Sequence, residues 1–206
     1  MDISDLVKLT SKAWAIPIMA QFGAGVAGRQ APLLRATGAS RSAFGQSLAH
    51  LQALGLLEKN PAHGHPLRPE FRLTEQGEAL AKPAHAIQTL SEDTPHSALI
   101  RRMWVLPLLA LTAHPKSFTS LTTALTPITD RALSQALKLL HTAGWVHRDV
   151  DIAGRPPRAT YKARGIGDLI GQEVRALLSK AGVPGHDRPA GKVSDAGPTG
   201  PTWVDV

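Results

Sequence analysis

A chain of 206 residues with a formal charge of +7 and a pI near 10.1 has room for two small cores. The charge calls for an anionic partner, nucleic acid first and a membrane surface second. The complete absence of cysteine excludes disulfides, thiol redox sensing, thiolate metal sites and cysteine nucleophiles.

Aromatic residues make up 4% of the chain within a hydrophobic share of 43%, so the cores are rich in Leu and Ala, which favours helices over a β-sandwich. No run approaches the roughly 18 apolar residues of a spanning helix. The acidic start, Met1-Asp2-Ile3-Ser4-Asp5, is unlike a signal peptide. The expected location is the cytoplasm, in association with the nucleoid and not with a membrane.

From the N-terminus, Leu6, Leu9, Ala13, Ile16 and Ala20 recur at helical spacing and predict a helix from Asp5 to about Gln21. Pro17 either kinks it or marks where the helix proper begins. Gly23, Gly25 and Gly28 form a turn, and a short helix follows from about Gln30 to Ala36. Ser40 suits an N-cap for a longer helix to about Leu54, whose stripe is Phe44, Leu48, Leu51 and Leu54, with Gly55 as the stop. The period then shortens. Leu56–Lys59 and Glu70–Thr74 read as strands around a turn or loop at Asn60–Pro66, and a helix from Glu78 to about Leu90 is interrupted at Pro83.

The second half repeats the first. Trp14-Ala15-Ile16-Pro17-Ile18-Met19-Ala20 returns as Trp104-Val105-Leu106-Pro107-Leu108-Leu109-Ala110, an offset of 90 residues. Gly55-Leu56-Leu57-Glu58-Lys59 returns as Gly144-Trp145-Val146-His147-Arg148 at 89, and the stretch from Phe71 to Gly77 returns from Tyr161 to Gly167 at 90. A period this long marks a duplicated domain, not a solenoid. Helices are expected at Leu99–Thr112, Ser117–Leu125, Thr129 to about Ala143 and about Ile166–Lys180, with strands at Trp145–Val150 and around Ala159–Lys162. The fold class is mainly α with small β-hairpins (α+β), as two tandem winged helix-turn-helix domains at 1–90 and 91–180. Residues 181–206, with Gly and Pro throughout, read as a disordered tail. Residues 1–88 carry 9 Lys/Arg against 6 Asp/Glu and residues 89–180 carry 12 against 7, so both repeats are basic, while the tail, with 2 against 3, is not.

Each repeat reads Trp-x-x-Pro, a short second helix, then a third helix ending in Gly55-Leu56-Leu57 or Gly144-Trp145-Val146 before a wing. In this the chain resembles the HxlR group of bacterial winged-helix transcriptional regulators, with MarR-like and PadR-like proteins sharing the grammar. The resemblance spans about residues 8–90 and 98–178. It implies DNA binding, and an intrachain pseudo-dimer in place of the usual pair of one-domain chains; a homodimer of the whole chain stays open. The second helices, Gln30-Ala31-Pro32-Leu33-Leu34 and Ser117-Phe118-Thr119-Ser120-Leu121, depart from the group's pattern, as does the second wing. The N-terminal cysteine many members carry is absent.

The DNA-contact candidates follow from chemistry. On the first recognition helix they are Ser40, Arg41, Ser42, Gln46 and Ser47; on the second, Thr129, Arg131, Ser134, Gln135 and Lys138. Arg pairs bidentately with guanine and Gln with adenine, while Ser and Thr near a helix N-terminus suit phosphates. The wings offer Arg68 and Arg72 in the first repeat and Arg155, Arg158 and Lys162 in the second, for phosphate or the minor groove. For each, the plainer alternative is a solvated face.

His63-Gly64-His65 lacks a third ligand, so no metal or other cofactor is expected. Gly23-Ala24-Gly25-Val26-Ala27-Gly28 has the spacing of a nucleotide loop but follows a helix, not a strand. With no paired carboxylates or nucleophile–base set, an enzyme is the weakest reading. The leading reading is a sequence-specific regulator of double-stranded DNA. Its alternatives are a protein-interaction or architectural scaffold and a replication-initiator-like protein. Trp203 in the tail is a candidate for docking a protein partner.

Overall fold

In the computed structural model, the prolines of the two Trp-x-x-Pro motifs sit where a proline costs least. The first predicted helix is two helices, α1 (Ile3–Thr10) and α2 (Ala15–Gly23). The Thr10 hydroxyl turns back to Leu6 O at 2.9 Å and across to Met103 O at 2.8 Å, and the chain breaks before Trp14. The first turn-to-turn bond of α2 is Ile18 N–H to Trp14 O, so Pro17 lies in the first turn, where its missing N–H has no work to do. The second repeat solves the same problem alike. In place of a continuous Leu99–Thr112 helix there is a 3-10 turn, Ser97–Arg101, then α6 (Val105–Leu111), with Leu108 N–H bonded to Trp104 O.

The structure describes residues 1–65, 68–151 and 158–180, and only the backbone at 61–65, 68, 151 and 180. The predicted tail at 181–206 lies outside them. Within the first repeat, α3 (Gln30–Thr37) and α4 (Arg41–Ala53) form the helix-turn-helix, followed by the hairpin β1 (Leu57–His65) and β2 (Arg68–Leu73) and by α5 (Glu75–Glu92). In the second, a short β3 (Lys116–Ser117) precedes α7 (Phe118–Ala124) and α8 (Asp130–Thr142), then β4 (Val146–Asp151), β5 (Arg158–Ala163) and α9 (Ile166–Lys180). Gly55 and Gly144, the stops of α4 and α8, have φ of 69° and 72°, the left-handed conformation that suits glycine.

Three expectations need correcting. Asn60–His65 is not a loop but the outer part of β1, paired with β2 across an irregularity between Lys59 and Gly64. A bulge lets a turn-like sequence stay in a ladder. Pro83 does not interrupt α5, which runs unbroken and buries Leu80, Ala84 and Ile87 on either side of it. Packing of α5 against α2 and α9 outweighs the lost hydrogen bond. Finally, the second wing is a three-stranded sheet in the order β3-β5-β4, whereas the first has a two-stranded sheet with a single Arg29–Glu70 bridge beside it. A two-residue strand has too little period to be seen in sequence.

The repeats share one hydrophobic core. α5 lies against α9, and α1 against α6. Arg101 stacks over Trp14 with its guanidinium carbon 4.4 Å from the ring centroid. α5 reaches Glu92, so a boundary at residue 90 falls inside its last turn.

Candidate nucleic-acid interface

The third helix of each helix-turn-helix unit, α4 or α8, starts from a side-chain cap. Ser40 Oγ accepts from Ala43 N–H at 3.3 Å, and Thr129 Oγ1 accepts from Ala132 N–H at 3.2 Å. Both caps are exposed, leaving a hydroxyl hydrogen at the positive end of each helix. The inward stripes are Phe44, Ser47, Leu48 and Leu51 on α4 and Leu133, Ala136, Leu137 and Leu140 on α8.

Ser47 is therefore a correction. It is 2% exposed, on the inward i, i+3, i+4, i+7 stripe, and cannot meet a ligand from solvent. Its counterpart Ala136 shows why a small polar side chain is tolerated there: the position asks for small volume before polarity. The remaining candidates on these helices face outward. Arg41, Ser42 and Gln46 are exposed on α4, as are Arg131, Ser134, Gln135 and Lys138 on α8. Among the described residues neither Arg41 nor Arg131 forms an ion pair. Asp130, exposed in the first turn of α8, favours that helix end by its charge alone.

Superposing the repeats by sequence pairs Arg41 with Asp130, Ser42 with Arg131, Gly45 with Ser134, Gln46 with Gln135 and Ala49 with Lys138. One glutamine is common to both faces. Around it the arginine has moved by one position, and α8 carries a lysine where α4 has a methyl group. His50, near the far end of α4, is turned to the first repeat itself: its Nε2 lies 2.8 Å from Lys8 O.

The wings differ in the same direction. On the first hairpin Arg72 and Glu58 are register partners, and Arg72 Nε lies 2.6 Å from Glu58 Oε1, so that arginine is already paired. Glu70 Oε1 lies 3.9 Å from Arg29 Nε. On the second hairpin Lys162 and His147 are register partners on one face, both exposed, and Arg158 is exposed four pairs further out. Arg68 and Arg155 carry side chains outside the described residues. Two exposed cations that sequence reasoning passed over, Arg148 on β4 and Arg164 after β5, flank the same hairpin. Arg148 sits in the Gly-Trp-Val-His-Arg motif, read as skeleton and not as surface, and alternation does not mark it, since it shares a strand face with the buried Val146.

No described helix is long and apolar enough to cross a membrane. The profile of the HxlR-like helix-turn-helix family matches this chain twice, over residues 9–97 and 99–182. No characterised protein and no solved structure matches it.

Proposed function

Because the chain belongs to the HxlR-like helix-turn-helix family, a family of DNA-binding transcription regulators, we propose that it regulates transcription by reading two unlike half-sites of duplex DNA from a single chain. The observation that carries this reading is the pair of outward faces on α4 and α8. They keep one glutamine in common and differ at the residues around it.

In the proposed complex the N-terminal halves of α4 and α8 enter the major groove. Gln46 and Gln135 face equivalent base positions, as the side chain suited to adenine, and Arg41 and Arg131 read neighbouring pairs, with guanine as the preferred partner. Ser40, Ser42, Thr129 and Ser134 meet phosphates, and Lys138 adds a contact that the first helix lacks. Lys162 and Arg158 hold the flanking backbone from the second wing, and Arg155, outside the described residues, is proposed to join them. Arg68 and Arg72 are the arginines of the first wing, with Arg72 weakened by its pairing to Glu58. Arg148 and Arg164 belong with the second-wing set. Catalysis has no part in this reading.

The packing of α5 on α9 supports an intrachain pseudo-dimer, two reading heads fixed by one core. Selection of bound fragments from random duplex DNA at physiological salt tests the proposal. A bipartite motif with unlike halves is the expected result. Enrichment of one half-site alone would remove a reading role from one domain, and salt-sensitive binding without enrichment would overturn sequence-specific regulation altogether.

A further inference from the structure

The second repeat has no counterpart of α1. In the first repeat the N-terminal segment lies over the junction of α4, β1 and α5. Met1, Asp5 and Leu9 line one cleft with Leu54, Leu56 and Gln76, and His50 Nε2 lies 2.8 Å from Lys8 O. The residues equivalent to 1–6 are 91–96. Of these, Ser91 and Glu92 form the end of α5, which stays with the first repeat, where Glu92 lines a pocket with Trp14 and Ala36. The turn Ser97–Arg101 is left to stand for residues 7–11.

The junction itself is built alike in both repeats. Leu56 N–H donates to Leu51 O and Thr74 N–H to Leu56 O, as Trp145 N–H donates to Leu140 O and Arg164 N–H to Trp145 O. The side chains around it have changed in one direction. His50, Gln76 and Ala79 of the first repeat are Leu139, Ile166 and Leu169 of the second. Among the described residues Leu139 and Leu169 are the exposed large apolar side chains, at 41% and 45%, and Ile166 is half-buried. Ile166, Leu169 and Ile170 are neighbours on α9 by the i, i+3, i+4 rule. The rim has changed as well. Ala49 and Thr74 give way to Lys138 and Arg164, both exposed and, among the described residues, in no ion pair. Asp168, in the first turn of α9, is turned to Arg175 at 3.9 Å. The uncovered copy is thus the more apolar at its face and the more basic at its edge, where solvent alone would favour neither change.

We propose that this face of the second repeat binds an amphipathic, acidic helix of a partner protein, laid where α1 lies on the first repeat. Its apolar side covers Leu139, Ile166 and Leu169, and its carboxylates meet Lys138 and Arg164. α1 is the template for such a helix. It spans eight residues, about two turns, buries Leu6 and Leu9, and carries Asp2 and Asp5 at its start. Lys138 serves DNA in the reading above, and a test without DNA leaves that reading untouched.

The test is a titration of the ¹⁵N-labelled full chain with an acetylated and amidated peptide of residues 1–11, and with a scrambled peptide of the same composition. The chain's own α1 keeps the first seat, because a tethered segment outcompetes a free one. Saturable shifts at Leu139, Ala143, Ile166 and Leu169, with the scrambled peptide about tenfold weaker, are expected. The Leu139→His variant, which copies His50, should keep its melting temperature, since the side chain is exposed, and bind the peptide about tenfold more weakly. Absence of saturable shifts would overturn the proposal, as would equal binding of the two peptides, or shifts at His50 and Gln76 in place of Leu139 and Ile166. Other occupants would overturn it too. Shifts at Leu139 and Leu169 that follow protein concentration, without peptide, would give the face to a second copy. Overhauser contacts from Trp203 to Leu169 would give it to the chain's own tail. The two-peptide comparison holds even if the variant folds poorly.

Discussion

At equivalent positions α4 buries Phe44, Leu48 and Leu51 where α8 buries Leu133, Leu137 and Leu140. The buried faces keep two leucines and exchange only Phe44 for Leu133 and the small Ser47 for the small Ala136. The exposed faces have changed chemistry: Arg41 against Asp130, Ser42 against Arg131, Ala49 against Lys138. After a duplication the two copies face different constraints on their two sides. A core position must keep its volume and apolarity, because a lost contact costs several kcal/mol. A solvent position is free to drift until a partner constrains it, and amid that drift Gln46 and Gln135 are unchanged, which is why they carry the proposed reading.

The largest effects are expected on the side that has stayed alike. Phe44→Ala should cost about 3–5 kcal/mol and Leu133→Ala about 2–5. Since one core runs through both repeats, calorimetry should show a single unfolding transition that moves down in either variant. Two separable transitions would mean that the repeats fold apart.

Next come the exposed faces of α4 and α8, proposed to read DNA. Gln135→Ala and Arg131→Ala should each cost about 1–3 kcal/mol in binding to the selected motif and relax base preference within one half. Gln46→Ala should do the same in the other half. If the two glutamine variants relax the same base pair, the picture of two heads on two half-sites fails. Ala49→Lys, which gives α4 the lysine of α8, should strengthen binding to all duplexes and steepen the salt dependence by about one phosphate.

The wings sharpen the comparison on a smaller scale. Lys162→Ala should lower the slope of log affinity against log salt by about 0.9, the value for one phosphate contact. Arg72→Ala should lower it by less, because Glu58 already holds that guanidinium. Glu58→Gln releases it and should steepen the slope; no change on Glu58→Gln would place the first wing away from the DNA.

The smallest effect lies at the N-terminus, where the repeats also differ. α1 opens with a reciprocal cap between Asp2 and Asp5, whereas the second repeat has a 3-10 turn before α6. The Lys8 ammonium, 3.0 Å from Asp5, holds the Asp5 carboxyl below its ordinary value. A group depressed in the folded state stabilises above its unfolded pKa, and that contribution is lost as pH falls through the folded value. Asp5→Asn should thus cost only a few tenths of a kcal/mol at about pH 7, given the exposure of the pair. Urea denaturation of the variant and the unaltered chain should converge near about pH 2.

Much of this architecture was legible in the chain. The stripe Phe44, Leu48, Leu51 and the stop at Gly55 predict α4 to within a residue or so, and Thr129 to Gly144 does the same for α8, because each end carries its own local signal. Long-range effects escaped. The break between α1 and α2 depends on Thr10 reaching Met103, some 90 residues away, and the unbroken α5 depends on neighbours that hold Pro83 in place. For the interface, residue type and spacing picked out Arg41, Gln46, Arg131 and Gln135, all of which stand exposed. The inward turn of Ser47 follows from the same stripe but was masked by its polarity, and the engagement of Arg72 by Glu58 needed the strand register.

By itself the sequence determined the duplication and the bounds of the two helices, α4 and α8, that carry the exposed polar faces. These follow from periodicity, caps and glycine stops, all of which act over a few residues. Tertiary structure decided that two domains share one core, that the second wing gains a third strand, that Arg72 is spoken for, and that α1 covers the junction of α4 and α5 in the first repeat. Those outcomes join residues far apart in the chain, and only packing brings them within reach of one another.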